Sequence, residues 1–258
     1  MRIEKISLII AAFANIFLGA SKALAADGDV DVTFGINGEV RTTLSGLSNG
    51  AESYNHGGAD IAIANVPGIG ERIFVTVPVG GTGGSCSKSH PCDFAVLRYD
   101  LDGIMDTTFG NNGIVMVDLF HGTNDVPNAI AIYPNGKILV AGYTETTFIS
   151  RSSNRDFALL RLLPNGTRDS SFGSNGTVRT DFSGLDDEAY DVVIQGDGRI
   201  IAVGSTTSNG NIRFGIVRYE RSGSLDQNFD SGGTKTIGWG YGYNIAYSVA
   251  IQADDKIV

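Results

Sequence analysis

The chain has 258 residues, of which 42% are hydrophobic and 18% are charged, and it is therefore too apolar for an intrinsically disordered protein. Glycine is frequent, with 35 residues, and proline is scarce, with 6, a balance typical of many short strands joined by tight turns. The formal net charge is −9 and no cluster of lysine and arginine occurs, which argues against a nucleic-acid partner.

The N-terminus has the pattern of a secretory signal peptide covering residues 1–25. Arg2 and Lys5 form a basic start, residues 6–20 are an apolar run, and Ala23 and Ala25 supply small residues at the two cleavage-site positions. An uncleaved anchor is the alternative. No second stretch is apolar enough to span a bilayer. We expect residues 26–258 to be secreted, periplasmic or at the cell surface.

Two spaced motifs recur along the mature chain. The first is D-F-x-x-x-R followed by a turn with Gly and then by Asp, and the second is D-x-x-F-G-x-N-G. The phenylalanines of the second motif, at positions 34, 109, 172 and 229, are 75, 63 and 57 residues apart, and a period in this range indicates a repeat architecture. The first motif begins at Asp93, Asp156 and Arg213, and the second at Asp31, Asp106, Asp169 and, in degraded form, Asp226.

Each period predicts four short strands separated by tight turns. Asn-Gly and Asp-Gly turns, which supply the positive φ angles of a hairpin, separate two apolar runs in each copy. These two runs are apolar on both faces, so each needs cover on both sides. The innermost strands are predicted at 129–132, 191–194 and 248–251, and the second strands at 138–142 and 200–204. The D-F-x-x-x-R runs are then third, and the run after F-G-x-N-G is outermost.

This pattern predicts an all-β fold, a β-propeller-like array of four-stranded antiparallel blades. The array is incomplete, with about three blades and part of a fourth. Glu39 to Thr43 would supply an outermost strand able to close the ring. The chain stops at Val258, just inside a second strand, so we expect further blades in a longer sequence.

The motifs D-x-x-F-G-x-N-G, D-G-[KR]-I-x-x-x-G and D-F-x-x-x-R-Y-x-x-x-G-x-x-D resemble the delta-60 repeat family, a bacterial β-propeller repeat. The resemblance covers nearly all of the mature chain and implies a propeller in an exported or surface setting. It implies no activity. The first repeat departs from the pattern, because Val66 to Glu71 replaces the D-G-K turn and a loop with two cysteines is inserted.

Arg98, Arg161 and Arg218 recur at one position of the motif, as do Asp106, Asp169 and Asp226. A ring of such pairs could bind an anion. Groups repeated in every blade usually serve the blade, so we interpret them as structural.

A second set of polar residues begins the predicted innermost strands, namely Asp60, Asp191 and Ser248. The mouth of a propeller channel lies at such strand ends, and ligands often bind there. We treat the three residues as candidate binding residues, with solvated strand ends as the simpler alternative.

Consecutive acidic residues at Asp186, Asp187 and Glu188 could hold Ca²⁺ through hard oxygen ligands. Alternating carboxylates occur also at Asp27 to Asp31. Neither segment has the Gly and Glu positions of a helix–loop–helix calcium loop. Ca²⁺ is the one cofactor that the sequence suggests.

Trp239, Tyr241 and Tyr243 alternate with glycines, and a period of two would place the three rings on one face of an extended segment. An exposed face would form a platform for stacking sugars, whereas a buried face would pack against the next blade. Packing is the favoured interpretation, because aromatic area is usually buried.

Cys86 and Cys92 are the only cysteines, and in an exported chain an even pair that closes a short loop predicts a disulfide. A metal site with His90 would lack a fourth ligand nearby, and free thiols are the remaining alternative.

Three functions fit the sequence. The favoured one is an exported, non-catalytic propeller module for binding or surface interaction, with an unknown protein or carbohydrate as partner. The second is a propeller enzyme acting on carbohydrate or another extracellular polymer. Glycoside cleavage needs two carboxyl groups about 5–10 Å apart, and Asp60 and Asp191 are the pair available. The third is a Ca²⁺-stabilised adhesion module.

Overall fold

The computed structural model describes residues 31–42, 59–80, 86, 90–120, 122–146, 154–182, 185–208, 210–239 and 242–258. Every regular element in these ranges is a β-strand. None of the described residues forms a helix with the length and hydropathy of a membrane span.

The strands form three antiparallel sheets of four, each in chain order, which we call blades 1 to 3. Blade 1 contains β1 Asp60–Val66, β2 Gly70–Gly80, β3 Cys92–Tyr99 and β4 Ile114–Val117. Blade 2 contains β5 Asp125–Ile132, β6 Ile138–Thr146, β7 Asn154–Leu162 and β8 Thr177–Thr180. Blade 3 contains β9 Asp187–Ile194, β10 Ile200–Ser208, β11 Asn211–Tyr219 and β12 Thr234–Ile237. The predicted all-β array of four-stranded propeller blades is confirmed.

The second and third strands of blades 1 and 2 and the second strand of blade 3 are buried over most of their length because neighbouring segments cover both faces, whereas most residues of β11 are only half-buried. One apolar core joins Phe74 and Phe94 of blade 1 to Ile138 and Leu160 of blade 2. A second core joins the opposite face of blade 2 to blade 3. The first strands of successive blades also contact one another, β1 with β5 and β5 with β9. The blades therefore stack radially with their first strands innermost, as predicted.

Two predicted strands are present only as isolated bridges. Near Glu39 the chain forms a bridge to Ile36 instead of a strand. In the run 248–251, Ala250 and Val258 exchange two backbone hydrogen bonds and Ile251 bridges Ile257. These pairings are too short to form a regular strand, because neither run pairs with a longer neighbouring segment within the described chain. Thr43 lies outside the described residues.

The F-G-x-N-G motif joins each blade to the next. Gly110 N donates to Asn165 O at 3.0 Å, and Gly173 N donates to Ser222 O at 2.7 Å. Both acceptors lie in the turn between the third and fourth strands of the following blade. Gly35 N makes the same bond to Asp102 O at 2.8 Å. Residues 31–42 thus cover blade 1 in the way that blade 1 covers blade 2.

Left-handed backbone is the property that the four copies of this motif share. Asn112 and Asn175 have φ angles of 51° and 52°. In the degraded copy, Gly232 occupies the asparagine position with φ 71°, and Asp230 occupies the first glycine position with φ 40°. Asn, Asp and Gly are the residues that tolerate this region, so the degraded copy keeps the turn.

The repeated Arg–Asp pairs also connect blades. Arg161 Nε donates to Asp169 at 2.8 Å, and its Nη1 donates to Arg221 O of blade 3 at 2.6 Å. Arg98 makes the equivalent bonds to Asp106 and to Pro164 O of blade 2. Each of the three guanidinium groups lies over a motif phenylalanine, 4.3–4.6 Å from the ring centre. The repeated pairs therefore have a structural role.

We predict that Gly166→Ala destabilises the protein strongly. Gly166 has φ +91°, and a Cβ there would lie 2.6 Å from Val115 Cγ2 and 2.9 Å from Gly110 N in blade 1. The left-handed backbone costs an alanine about 1–2 kcal/mol, and the clash adds roughly 1–3 kcal/mol. Gly210→Ala is the matched control, because Gly210 has φ +73° and nothing within 4 Å of its Cβ position. Urea unfolding should show about twice the loss for Gly166→Ala; equal losses would mean that this contact between blades is not tight.

We predict that Asp169→Asn lowers the free energy of unfolding at neutral pH and makes this free energy depend less on pH in acid. Burial alone would raise the pKa of Asp169, but hydrogen bonds from Lys137 and Ser171 and the charge of Arg161 hold it well below its ordinary value. Its stabilising contribution is therefore present above about pH 4 and lost as the pH falls further. At pH 7 the free energy of unfolding of the variant should be about 3 kcal/mol lower than that of the wild type. As the pH falls, the variant should lose less stability than the wild type does.

Urea unfolding between pH 7 and pH 2 measures both effects. Asp254→Asn is the control, because this carboxylate is half-exposed and pairs with Lys256 at the surface. It should unfold at the same urea concentration as the wild type at pH 7. A pH profile of Asp169→Asn parallel to that of the wild type would contradict the prediction.

Candidate functional site

Aspartates gather at one end of the strands where two blades meet. In an antiparallel sheet of four strands in chain order, the first and third strands begin at the edge where the second and fourth end. Residues at those positions in one blade can therefore meet the start of the first strand of the next blade. Two groups of three aspartates form in this way, with one carboxylate oxygen from each residue within 4.8 Å of the others.

The first triad consists of Asp93, Asp118 and Asp125. Asp93 is the second residue of β3, Asp118 follows β4, and Asp125 begins β5. Asp125 is fully buried, Asp93 is partly buried and Asp118 is exposed. Asp125 is fixed by Leu119 N, which donates to Oδ2 at 2.6 Å, and by the hydroxyl of Thr144, which donates to Oδ1 at 2.6 Å.

The second triad consists of Asp156, Asp181 and Asp187, in the equivalent positions of blades 2 and 3. Asp156 and Asp187 are buried and Asp181 is exposed. Phe182 N donates to Asp187 Oδ2 at 2.8 Å, the counterpart of the bond from Leu119 to Asp125. Arg179 Nε lies 3.3 Å from Asp156 Oδ2.

Burial and mutual repulsion raise the pKa values of these carboxyl groups. Burial raises the pKa of Asp93 to about 6, and the charges of Asp118 and Asp125 add to the effect. Burial likewise raises the pKa of Asp156 to about 6, against the opposing charge of Arg179. Asp125 and Asp187 also reach about 6, chiefly through burial. At neutral pH each triad concentrates negative charge in a poorly solvated place.

The candidate binding residues of the innermost strands share one position in their blades, and two of them meet. Asp191 Oδ2 accepts hydrogen bonds from Ser248 Oγ and Val249 N, both at 2.8 Å. Asp60 Oδ2 accepts from Ile130 N of blade 2 at 2.9 Å. Asp60 and Asp191 also each accept a bond from the next residue's backbone nitrogen. These carboxylates thus connect neighbouring innermost strands through backbone groups.

The three consecutive acidic residues at 186–188 have different surroundings. Asp186 Oδ1 accepts from Arg155 N at 3.2 Å, and Glu188 pairs with the Arg155 side chain and the Tyr190 hydroxyl. Only Asp187 contributes to a triad. Of the other acidic segment, Asp31 accepts bonds from the backbone and hydroxyl of Thr33, and its remaining residues lie outside the described chain.

Trp239 lies beyond the last strand of blade 3, since β12 ends at Ile237. Trp239 is 66% exposed and Tyr243 is 82% exposed. The Trp239 ring packs edge-on against Phe214 with centroids 5.2 Å apart, and Tyr243 forms a backbone bridge with Ile212, two residues earlier on β11. Tyr241 lies outside the described residues.

The predicted disulfide is confirmed. Cys86 and Cys92 are joined, with their Cα atoms 5.3 Å apart. Cys92 is buried at the start of β3, directly before Asp93 of the first triad, and its backbone nitrogen donates to Asn124 Oδ1 at 3.3 Å. The bond therefore ties the loop after β2 to the strand that carries the triad.

Sequence reasoning missed both triads, although the repeats carry a signal for them. Asp93 and Asp156 are the first residues of the first motif, and Asp118 and Asp181 follow the motif phenylalanines by the same spacing. Aligning the repeats would have found these four positions. Their approach to Asp125 and Asp187 depends on how the next blade docks.

The chain is similar to a known β-propeller family over two stretches. The family model described as a beta-propeller domain of unknown function, DUF5122, matches residues 134–172 and 195–229. Each stretch runs from the turn after a first strand to the motif phenylalanine of the same blade. Both matches support a β-propeller repeat family. No curated protein matches the chain.

Proposed function

We propose that this chain is an exported, non-catalytic β-propeller module of the delta-60 type, which binds an extracellular glycan through the aromatic side chains of Trp239 and Tyr243. The exposed pair Trp239 and Tyr243 carries the proposal. Among the described residues, the repeated arginines and aspartates bind neighbouring strands and blades, so the exposed aromatic side chains are the better candidates for recognition.

Trp239 and Tyr243 both lie against β11 of blade 3. Their anchors on β11, Phe214 and Ile212, are two residues apart on the strand, a rise of about 7 Å. Tyr247 is also 69% exposed, with its ring 5.4 Å from that of Tyr190. Large exposed aromatic rings on one part of a surface suit stacking against sugar rings.

The Cys86–Cys92 disulfide supports an exported setting, because such bonds persist in oxidising compartments. The signal-peptide pattern at residues 1–25 supports it from the sequence.

Retention of the purified mature chain on insoluble cellulose, chitin and peptidoglycan tests this function. We expect binding to at least one polymer, with Kd weakened at least about fivefold in Trp239→Ala and in Tyr243→Ala. Ile104→Ala is the matched control, since Ile104 is an exposed apolar residue of blade 1. It should bind as the wild type does.

Two results would overturn the proposal. Unchanged retention of the Trp239→Ala, Tyr243→Ala double variant would remove the aromatic pair from recognition. Release of soluble sugar from the polymer would identify an enzyme and favour the alternative of polymer cleavage.

A further inference from the structure

We propose that each aspartate triad binds one Ca²⁺ ion, and that the two ions link blade 1 to blade 2 and blade 2 to blade 3. Each triad takes two carboxylates from one blade and one from the next. An ion there would therefore bridge independent sheets. The inference does not depend on glycan binding.

A buried oxygen without a partner points to a missing ligand. Asp156 is 1% exposed, and its Oδ1 has no hydrogen-bond partner in the described part of the chain. Asp187 Oδ1 is also unpaired, as is the hydroxyl of Thr206, which lies opposite Asp187 in the ladder. Rotation of that hydroxyl could satisfy Asp187, as Thr144 satisfies Asp125, but it leaves Asp156 unsatisfied. Buried anionic oxygens are costly unless paired or coordinated to a metal.

The spacing of the oxygens suits Ca²⁺. Ca²⁺–O distances are about 2.3–2.6 Å, so two ligands of one ion can be up to about 5 Å apart. The three oxygens of each triad lie within 4.8 Å of one another. Carboxylates are hard ligands, and Ca²⁺ accepts irregular sets of six to eight oxygens, including water. The exposed residues Asp118 and Asp181 leave room for water and for entry of the ion.

Arg179 is the competing cation at the second triad. Its side chain is 47% exposed and it approaches Asp156 through Oδ2, the oxygen other than the unpaired one. It can turn outward when an ion enters. At the first triad, Met116 occupies the equivalent position.

The junction after blade 3 keeps one of these hydrogen bonds, and no acidic triad occurs there among the described residues. Trp239 N donates to Asn244 Oδ1 at 3.4 Å, the counterpart of the bonds to Asp125 and Asp187. The two remaining positions hold Arg213 and Gly238. A Cβ at Gly238 would lie 3.2 Å from Arg213 Nη1, so the guanidinium lies beside the position of the third carboxylate. At this junction the guanidinium of Arg213 lies where the other two junctions have carboxylates. This difference is expected if a bound cation supplies the positive charge at those two junctions.

Calcium titration of the metal-free mature chain by isothermal calorimetry tests the proposal, with the Tm measured in CaCl₂ and in chelator. We expect two ions per wild-type chain and a higher Tm with calcium. Asp93→Asn and Asp156→Asn should each bind one ion, and the double variant none. Asp186→Asn is the matched control, since Asp186 neighbours the second triad without belonging to it, and it should bind two.

A further variant guards against simple misfolding. Asp156→Arg, Asp181→Gly and Asp187→Asn together copy the residues of the junction after blade 3, which this chain already accommodates. This triple variant should fold, bind one ion and keep a calcium-dependent Tm from the first triad. No calcium binding by the wild type at millimolar concentration would overturn the proposal. Two ions still bound by the double variant Asp93→Asn, Asp156→Asn would overturn it equally.

Discussion

Cover on both faces of the middle strands is the constraint on which this structure depends. A strand that is apolar on both sides cannot rest with one side in water, and a single four-stranded sheet offers it nothing on either face. Each blade therefore depends on its neighbours, and the stability of the array is close to a sum of blades and junctions. Phe94 in blade 1 and Leu160 in blade 2 share one core for this reason. The polar contacts between blades fix the alignment of neighbouring sheets, whose packing is already required by the burial of their apolar faces.

The repeat explains why the fold could be predicted so far from the sequence. Apolar runs, Asn-Gly and Asp-Gly turns and the spaced Phe and Arg positions are local signals, and they gave the order of strands in each blade. The runs near Glu39 and at 248–251 carry the same local signals but form only isolated bridges. Pattern alone cannot tell whether a run has partners on both sides.

The site was less predictable because its members come from different blades. The acidic run at 186–188 was a candidate site because its three residues are consecutive in the sequence. Neighbouring residues of a strand point to opposite faces, however, and only Asp187 of the three lies with Asp156 and Asp181. Asp60 begins its innermost strand, as expected, whereas Asp191 is the fifth residue of β9, because that strand already begins at Asp187. Their bonding to Ile130 in the next blade and to Val249 in the run after blade 3 could not be read from one sequence, since it depends on the offset between neighbouring segments.

The bonds that the repeated glycine and arginine positions make between blades have a direction. Gly110 N and Gly173 N each donate forward, to a turn of the blade that follows. Arg98 and Arg161 donate to the carbonyl of the residue just before each of these acceptors. An amide that is protected only while the next blade is docked exchanges with solvent when that single junction opens. These two glycine amides therefore act as separate built-in reporters, one for each seam, in hydrogen-exchange measurements. Comparing their exchange rates would reveal whether the array opens one blade at a time and from which end it begins.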